Sequence, residues 1–486
     1  MFVCSGVLLA QEGHKRSNVW LLGGDSGGGG LKLDFNKEPV EITYEQTGVW
    51  MRVANTSICS ENGEYLFASN GVKVANALGV TMLNGDSITS GFLLSNWPTA
   101  SPLQQGVLAL PKPGSNEIYY VFALNYELPF WSHPTYSGFA PTRLNYHTID
   151  MREDGGLGAV VEKHQVALQD TLARGSLIAA RHANGCDWWV IIPEIHSNCY
   201  YRILVTEEGV QPAQKQCLGK AWSDLDAASA VFSPDLKKYV RFNAFNGMHI
   251  FDFDNWSGQL SRPRKVLTPM LIEQAGYFTD VAISPNSQYA YVMGFTKAYQ
   301  YNLDAEEIGS TVVQVAEWDG TYNPYATIFN SCALAPDGKI YVGSSSSTFN
   351  LHVIEKPDLP GLACEFVQRA VDLPSYNHAG RPNHPYYGDP EKLCEVPIAT
   401  EEEESYSPVA VYPNPASEVL WVNYPTLGAR QYTFQLFNLQ GQRVYRSQSG
   451  HALQQYDISY LPVGTYFYTL EDSDGTRWSG KVQKVE

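Results

Sequence analysis

The sequence predicts an all-β protein made of a β-propeller followed by a small immunoglobulin-like β-sandwich. Three observations predict it. First, aromatic residues make up 13% of the 486-residue chain, which also has 41 glycines and 28 prolines. Aromatic rings favour a pleated sheet, and glycine and proline favour tight turns. Second, a turn followed by an aromatic strand recurs at a regular interval. Third, about eighty C-terminal residues form a separate run of short alternating segments, so we expect more than one domain.

Charge and hydropathy exclude several classes of function. The net charge is −17, with 50 acidic against 33 basic residues. A surface this acidic repels nucleic acid and anionic lipid, so we expect neither as a partner. We also predict no transmembrane segment, because no apolar run approaches the roughly eighteen residues that a membrane span requires. Residues 1–17 begin with an apolar stretch but lack a basic start, which predicts a possible truncated signal peptide.

The body of the chain, residues 18–392, repeats. Equivalent turns contain Pro234, Pro285 and Pro336, which lie 51 residues apart, and each turn precedes an aromatic strand. Proline presets φ at the first turn position, and Asp, Asn or Gly suits the next ones. One further interval of 51 residues towards the N-terminus reaches residues 183–190, where a turn again precedes an aromatic strand. Looser copies lie at residues 61–67 and 113–121. A turn and strands repeated at this spacing are typical of propeller blades.

The number of blades depends on the N-terminal strands. Six blades have visible turns, and residues 18–22, 31–35 and 40–44 supply three further strands. We predict a seventh blade in which residues 381–387 add the fourth strand, since joining both chain ends removes the open sheet edges. The alternative is a six-bladed ring with the N-terminal strands packed outside it.

An acidic linker, residues 393–406, precedes the C-terminal domain, residues 407–486. Four consecutive glutamates at 401–404 have no apolar face to bury, which indicates a solvated linker. The C-terminal domain contains the runs VYPNPA at 411–416, FQLFNLQGQRV at 434–444, LPVGTYFY at 461–468 and GKVQK at 480–484.

These runs resemble the type A C-terminal sorting domain of the Bacteroidetes type IX secretion system. The resemblance implies Sec export to the periplasm, then secretion or anchoring at the outer-membrane surface, with the type IX machinery as partner. We expect the first turn to be shaped by three residues, Pro413, Asn414 and Pro415. Gly441 and Gly464 are predicted to serve hairpin turns with unusual backbone angles. The remaining motif residues are Tyr466, Lys481 and Lys484, and the two lysines lie in the terminal strand that the machinery is expected to read.

The body has a resemblance of its own. NVWLLG at 18–23, GLKLDF at 30–35 and ENGEYLF at 61–67 are followed by LPKPG at 110–114 and IYYVF at 118–122. They are similar to a Bacteroidetes family of secreted propellers that end in a sorting or gliding-motility-type domain. That resemblance implies a fold and a location, and it supplies no catalytic residues.

Motifs for catalysis and for metals are weak. GDSGG at residues 24–28 matches a serine nucleophile motif, but a strand follows it where a hydrolase needs a helix. Asp252 and Asp254 lack the other ligands of a calcium loop, and the eleven histidines lack zinc-site spacing. We therefore predict no catalytic residues, no metal and no cofactor. Among the eight cysteines, Cys186 and Cys199 form the most plausible disulfide, with buried free thiols as the alternative.

Two segments are candidates for ligand binding. The stretch between the turns at 113 and 183 is about twenty residues longer than the repeat, and it carries Trp131, His133, Tyr136 and Arg143. The second segment, near the ring closure, carries His378 and Arg381. Aromatic rings stack on ligands and arginine pairs with anions, although such loops also plug channels or cover sheet edges. We predict a recognition or adhesion module for glycan or protein that is more plausibly non-catalytic, with a polysaccharide hydrolase or lyase as the alternative.

Overall fold

The structure is a computed structural model. It describes residues 15–24, 28–126, 131–133, 136–138, 140–222, 228–269, 279–388, 410–423, 431–438, 442–449, 453–473 and 477–485. The chain divides into two compact units, Met1–Val396 and Pro397–Glu486, and each unit is described by itself. Among the described residues, no helix combines the length and the apolar character needed to cross a membrane.

In its described residues, the first unit contains seven antiparallel sheets of three to five strands, numbered here in chain order. Sheet 1 has β1 (Val19–Leu22), β2 (Gly29–Asp34) and β3 (Glu41–Gln46); sheet 2 has β4 (Thr56–Cys59), β5 (Tyr65–Ser69) and β6 (Val74–Asn76). Sheet 3 has β7 (Val107–Pro111) and β8 (Ile118–Asn125) and, after a separate hairpin of β9 (Trp131–His133) and β10 (Tyr136–Gly138), β11 (Arg143–Asp150) and β12 (Ala159–Gln169). Sheet 4 has β13 (Ile178–Arg181), β14 (Trp188–Pro193), β15 (Cys199–Thr206), β16 (Gly209–Val210) and β17 (Gln214–Cys217).

The remaining three sheets have four strands each. Sheet 5 has β18 (Ser229–Phe232), β19 (Lys238–Asn243), β20 (Gly247–Asp254) and β21 (Gln259–Val266); sheet 6 has β22 (Asp280–Ile283), β23 (Tyr289–Gly294), β24 (Lys297–Asn302) and β25 (Val313–Glu317). Sheet 7 has β26 (Ser331–Leu334), β27 (Ile340–Gly343), β28 (Thr348–Ile354) and β29 (Phe366–Asn377). The described helices are α1 (Gly91–Asn96) and four 3₁₀ turns at Lys15–Ser17, Asp154–Gly156, Ile308–Thr311 and Gly361–Cys364.

Buried clusters join these sheets into a closed ring. The first strand of each sheet is almost fully buried on both faces. In β7, Val107 and Ala109 pack towards sheet 2, whereas Leu108 and Leu110 pack towards sheet 4, as the two-residue period of a strand requires. Equivalent clusters join every successive pair of sheets, and Trp20 of sheet 1 packs with Tyr341 of sheet 7. The unit is therefore a β-propeller, and the total of seven blades stays a prediction.

The turns of the 51-residue period lie between the first and second strands of sheets 5, 6 and 7. In sheet 5, the Ser233 hydroxyl donates to Asp235 at 2.6 Å and accepts from the Lys238 N–H at 2.9 Å. In sheet 6, Ser284 makes the same pair of bonds, to Asn286 and from Tyr289. The third turn has no serine and instead uses Gly338, with φ of 79°. Local side-chain chemistry thus explains why these turns could be found in the sequence.

Two expectations about connections are wrong. Residues 381–387 do not complete sheet 1: Tyr386 pairs with Ala180 of β13 instead. Pro382 and Pro385 lack the N–H groups that a sheet ladder needs. The expected Cys186–Cys199 disulfide is also wrong, because Cys199 is bonded to Cys217. These two residues lie opposite each other on β15 and β17, whereas Cys186 lies in the turn before β14. Cys59, Cys332 and Cys364 are buried free thiols.

The second unit is a sandwich of two sheets. One sheet has β30 (Ala410–Tyr412), β31 (Val419–Asn423) and β34 (Leu453–Asp457); the other has β32 (Tyr432–Phe437), β33 (Arg443–Ser449), β35 (Gly464–Asp472) and β36 (Arg477–Lys484). Side chains from both sheets, including Leu420, Phe434 and Val482, share one buried core. The predicted sandwich is therefore observed in the described residues.

Candidate binding site at the rim of the channel

The segment that follows β29, residues 378–388, crosses the first strands of the propeller sheets; we call it the channel segment. Its most connected residue is Asn383, which is only 1% exposed. The Asn383 side chain donates to the carbonyls of Val107 and Leu177, both at 2.8 Å. Its backbone N–H donates to the Asn55 carbonyl, and its carbonyl accepts from the Thr56 hydroxyl. Asn383 therefore links sheets 2 and 3 to the residue that precedes the first strand of sheet 4.

Arg381 lies in the same buried environment and forms an ion pair. Its guanidinium Nε is 2.6 Å from a carboxylate oxygen of Asp280, and the two side chains are 7% and 0% exposed. The same carboxylate accepts a hydrogen bond from the Cys332 N–H. Burial lowers the pKa of Arg381, but the charge of Asp280 together with smaller contributions from Tyr386 and Cys332 outweighs burial, so the net pKa is raised. This pair ties sheets 6 and 7 to the channel segment, and ligand binding by Arg381 stays a prediction.

A pocket of about 340 Å³, which we call the rim pocket, opens at the start of the channel segment. Its wall comes from the loops that precede β4 and β26, from the turn between β27 and β28, and from the channel segment. The lining residues are Arg52, Val53, Tyr325, Ser345, Ser346, Ser347, His378 and Ala379. His378 and Arg381 were both predicted as binding residues. The structure places His378 in this open pocket, whereas Arg381 is buried and lines a smaller cavity of about 100 Å³.

His378 is fixed by two hydrogen bonds. Its Nε2 lies 3.0 Å from the Gly24 carbonyl, and its Nδ1 lies 2.9 Å from the Ser347 hydroxyl. Burial and the nearby Arg52 charge lower the pKa of His378, although the Gly24 contact works in the opposite direction. A carbonyl only accepts, so in the neutral ring Nε2 carries the proton and Nδ1 accepts from Ser347. Ser347 then presents oxygen lone pairs, without its proton, to a ligand.

Arg52 supplies the positive charge of the rim pocket. It is exposed, and its guanidinium carbon lies 5.4 Å from the centre of the Trp50 ring. The Trp50 ring in turn contacts His378 edge-on, with 5.6 Å between centres. Among the described residues, Arg52 makes no ion pair and the lining of the pocket includes no carboxylate. The pocket is therefore locally cationic within a strongly acidic protein.

Two exposed tyrosines mark the loop beside the pocket. Tyr322 is 66% and Tyr325 is 57% exposed. The loop is tied down, since the Asn323 N–H donates to the Tyr325 carbonyl at 2.8 Å and the Phe349 N–H donates to the Asn323 carbonyl. Aromatic faces held in this way suit stacking on a flat ligand.

The other predicted binding residues are described less fully. Trp131, His133 and Tyr136 lie on the hairpin of β9 and β10, which pair with each other, but their side chains lie outside the described residues. Arg143 begins β11 and pairs in register with Asn125. The long insertion thus contributes a hairpin, and its ligand-binding role stays a prediction.

The structure does not support a catalytic or metal-binding role for the GDSGG motif or for Asp252. In GDSGG, residues 25–27 lie outside the described residues. Asp252 is held by Arg264 and by Arg262, the latter at 3.2 Å, which accounts for its charge without a cation. Within the described ranges, no group of three or more His, Cys, Asp or Glu residues could hold a metal ion.

In the sandwich unit, the predicted sorting motif meets the terminal strand. The Asn414 side chain donates to the Lys481 carbonyl and accepts from the Gln483 N–H, both at 2.9 Å. Ala416 then pairs with Lys484. The side-chain amide of Asn414 therefore bonds to β36 in the way that the backbone of a neighbouring strand would, and holds β36 in place.

The other motif residues fall into different environments. Pro413 and Pro415 follow cis peptide bonds on either side of Asn414. Tyr466 is buried and donates to the Pro462 carbonyl; Lys484 is buried, whereas Lys481 is exposed. Gly464 begins β35 in ordinary strand pairing with Lys484, without positive φ, so its predicted unusual angle is wrong. Gly441 lies outside the described residues.

Sequence reasoning missed Arg52 and the serines at 345–347. They reach one pocket from loops that lie far apart along the chain, and no local motif connects them. The only available signal was His378, which was chosen for its own residue type.

Comparison with known proteins identifies the second unit. Residues 410–484 match the secretion system C-terminal sorting domain. The protein is therefore a β-propeller that carries a type IX sorting domain, which directs it to secretion and to the cell surface and implies contact with the type IX machinery. A search of curated proteins gives no match.

Solved structures give remote likenesses. A putative 6-phosphogluconolactonase from Bacteroides uniformis shares 14% identity with a TM-score of 0.44, covering 74% of this chain and 97% of the other. PorZ, a surface component of the type IX system of Porphyromonas gingivalis, shares 8% with a TM-score of 0.31, covering 97% and 75%. A quinonprotein alcohol dehydrogenase-like protein from Bacteroides thetaiotaomicron shares 12% with a TM-score of 0.36, covering 70% and 72%. At such scores the fold assignment rests on the sheets described above.

Proposed function

We propose that this secreted propeller is a non-catalytic recognition module that binds a glycan at the rim pocket. The observation that carries the proposal is the lining: three serine hydroxyls, an exposed tyrosine, an arginine and a neutral histidine around one open cavity. Sugars offer many hydroxyls and an apolar ring face, so hydroxyl partners and aromatic faces suit them.

The size of the pocket is consistent with part of a glycan chain. A volume of about 340 Å³ lies at the lower end of ligand pockets. It suits one or two sugar units, and the open side lets a longer chain continue over Tyr322 and Tyr325. Adhesion to surface polysaccharide or to a glycosylated partner is the corresponding biological role.

The alternative is a polysaccharide hydrolase or lyase. Most glycoside hydrolases need two carboxyl groups on either side of the scissile bond. The described lining residues of the rim pocket include no carboxyl group, which favours binding over hydrolysis at this place.

The test is a glycan array probed with the full-length protein, run beside polysaccharide digests assayed for reducing ends and for unsaturated products. We expect binding without product release. Tyr325→Ala should weaken that binding. Trp256→Ala, which removes a 66% exposed aromatic residue from the turn between β20 and β21, should not. Product release would overturn the non-catalytic role, and binding insensitive to Tyr325 would move the site elsewhere.

A further inference from the structure

We propose that the rim pocket selects an acidic sugar, whose carboxylate or sulfate group pairs with Arg52. This inference rests on the proposed glycan binding and adds the chemical class of the ligand. It follows from the charge of the pocket, from the way Arg52 is held, and from the hydroxyls around it.

The charge argument comes first. Arginine keeps its positive charge at any physiological pH. The net charge of the chain is −17. In the part of the chain that the structure describes, however, Arg52 has no carboxylate partner and no carboxylate lines the pocket. An unpaired cation next to an open cavity in an acidic protein attracts anions locally, while the rest of the surface repels them. The pocket therefore discriminates in favour of one anionic group at one place.

The geometry around Arg52 restricts how that group binds. The guanidinium lies 5.4 Å from the Trp50 ring centre, and Trp50 is held against His378. A guanidinium placed near an aromatic ring keeps its N–H groups available at the edge. This planar fork matches the two oxygens of a carboxylate or sulfate.

The serines explain why the acidic group should belong to a sugar, because their hydroxyls can bind sugar hydroxyls. Ser347 donates its proton to His378 and so accepts from a sugar hydroxyl. Ser345 and Ser346 line the same pocket with further hydroxyls. Because the ring of His378 is neutral, the pocket holds a single full positive charge, which suits one acidic group per bound unit.

The experiment is calorimetry on the full-length protein with three probes: trigalacturonic acid, its methyl ester, and a 6-sulfated galactose trisaccharide. We expect an acidic probe to bind about tenfold or more tightly than the neutral ester. Preference for the uronic acid identifies a carboxylate as the recognised group, and preference for the sulfated probe identifies a sulfate.

Two variants locate the effect. Arg52→Met should remove the preference for the acidic probe, whereas Arg262→Met, the same change at a residue with an 82% exposed side chain in sheet 5, should keep it. If neither acidic probe binds more tightly than the neutral ester, or if the preference is unchanged in Arg52→Met, the inference is overturned while glycan binding stands. Failure of all three probes, together with a blank glycan array, would overturn the proposed function as well.

Discussion

His378 and Arg381 are three residues apart on the channel segment, yet they have opposite roles. His378 lines an open pocket and holds a serine in position. Arg381 is buried inside the ring and neutralises Asp280. Both are residue types that serve ligand sites, so residue type alone does not distinguish them. What distinguishes the two residues is their burial and the partners that distant sheets contribute.

The same difference separates stability from function. A buried ion pair adds little net stability, but losing one partner leaves an unpaired buried charge, which is costly. Exposed groups at the rim contribute little to folding. We therefore expect substitutions in the buried contacts of the channel segment to destabilise the propeller, and substitutions at the rim pocket to alter binding.

The largest effect is expected from Asp280→Ala, which leaves the Arg381 guanidinium buried without its partner. We expect a loss of about 3–5 kcal/mol in the free energy of unfolding, measured by urea denaturation with tryptophan fluorescence. The matched control is Asp319→Ala, which breaks the partly exposed pair of Asp319 with Arg369 and should cost less than about 1 kcal/mol. Similar losses of stability in both variants would contradict a structural role for the ion pair of Arg381 with Asp280.

A second effect concerns histidines buried in the sheets, such as His352 on β28. Burial lowers the pKa of His352 to about 4, below the ordinary value near 6.5. The folded state therefore binds fewer protons than the unfolded state between these values, so stability is lost as pH falls through that window. At pH 5 the loss is about 2 kcal/mol for this residue.

The measurement compares urea denaturation at pH 7.5 and pH 5 for the wild type and for His352→Gln. Between pH 7.5 and pH 5, the free energy of unfolding should fall by about 2 kcal/mol less in the variant than in the wild type. An equal pH dependence in both proteins would show that His352 takes up its proton in the folded state.

In the sorting domain, Asn414→Ala should release the terminal strand. The variant loses two hydrogen bonds to β36, at a cost of about 1–2 kcal/mol to this unit. Hydrogen exchange should be faster at Gln483, and secretion should decrease. Deleting residues 480–486 should go further, leaving the propeller folded but held in the periplasm. Normal extracellular levels of the deletion variant would refute this role of the terminal strand.

The smallest change in stability is expected from His378→Ala at the rim. The variant loses the contacts with Gly24 and Ser347, at about 1 kcal/mol or less. Glycan affinity should fall by a larger free energy, because Ser347 is no longer oriented. Calorimetry and urea denaturation of the same sample distinguish the two effects, and a loss of stability without a loss of affinity would place the ligand elsewhere.

The sequence was informative where structure is local. The turn at Ser233 closes on its own side chains, so a short motif predicted it, and its repetition predicted the propeller. Asn383 instead bonds to Val107, 276 residues away, and this contact exists only after the ring closes. For the same reason, residues 381–387 were assigned to a sheet edge and Arg52 was overlooked. The disulfide partner of Cys199 likewise depended on the register of β15 and β17.

The most direct test of the central claim is hydrogen exchange by mass spectrometry on the full-length protein, with and without the glycan that binds most tightly on the array. The rim-pocket account predicts protection in peptides that cover residues 50–53, 322–327, 345–348 and 377–380. Protection confined to residues 127–143 would contradict it and assign the ligand to the long insertion.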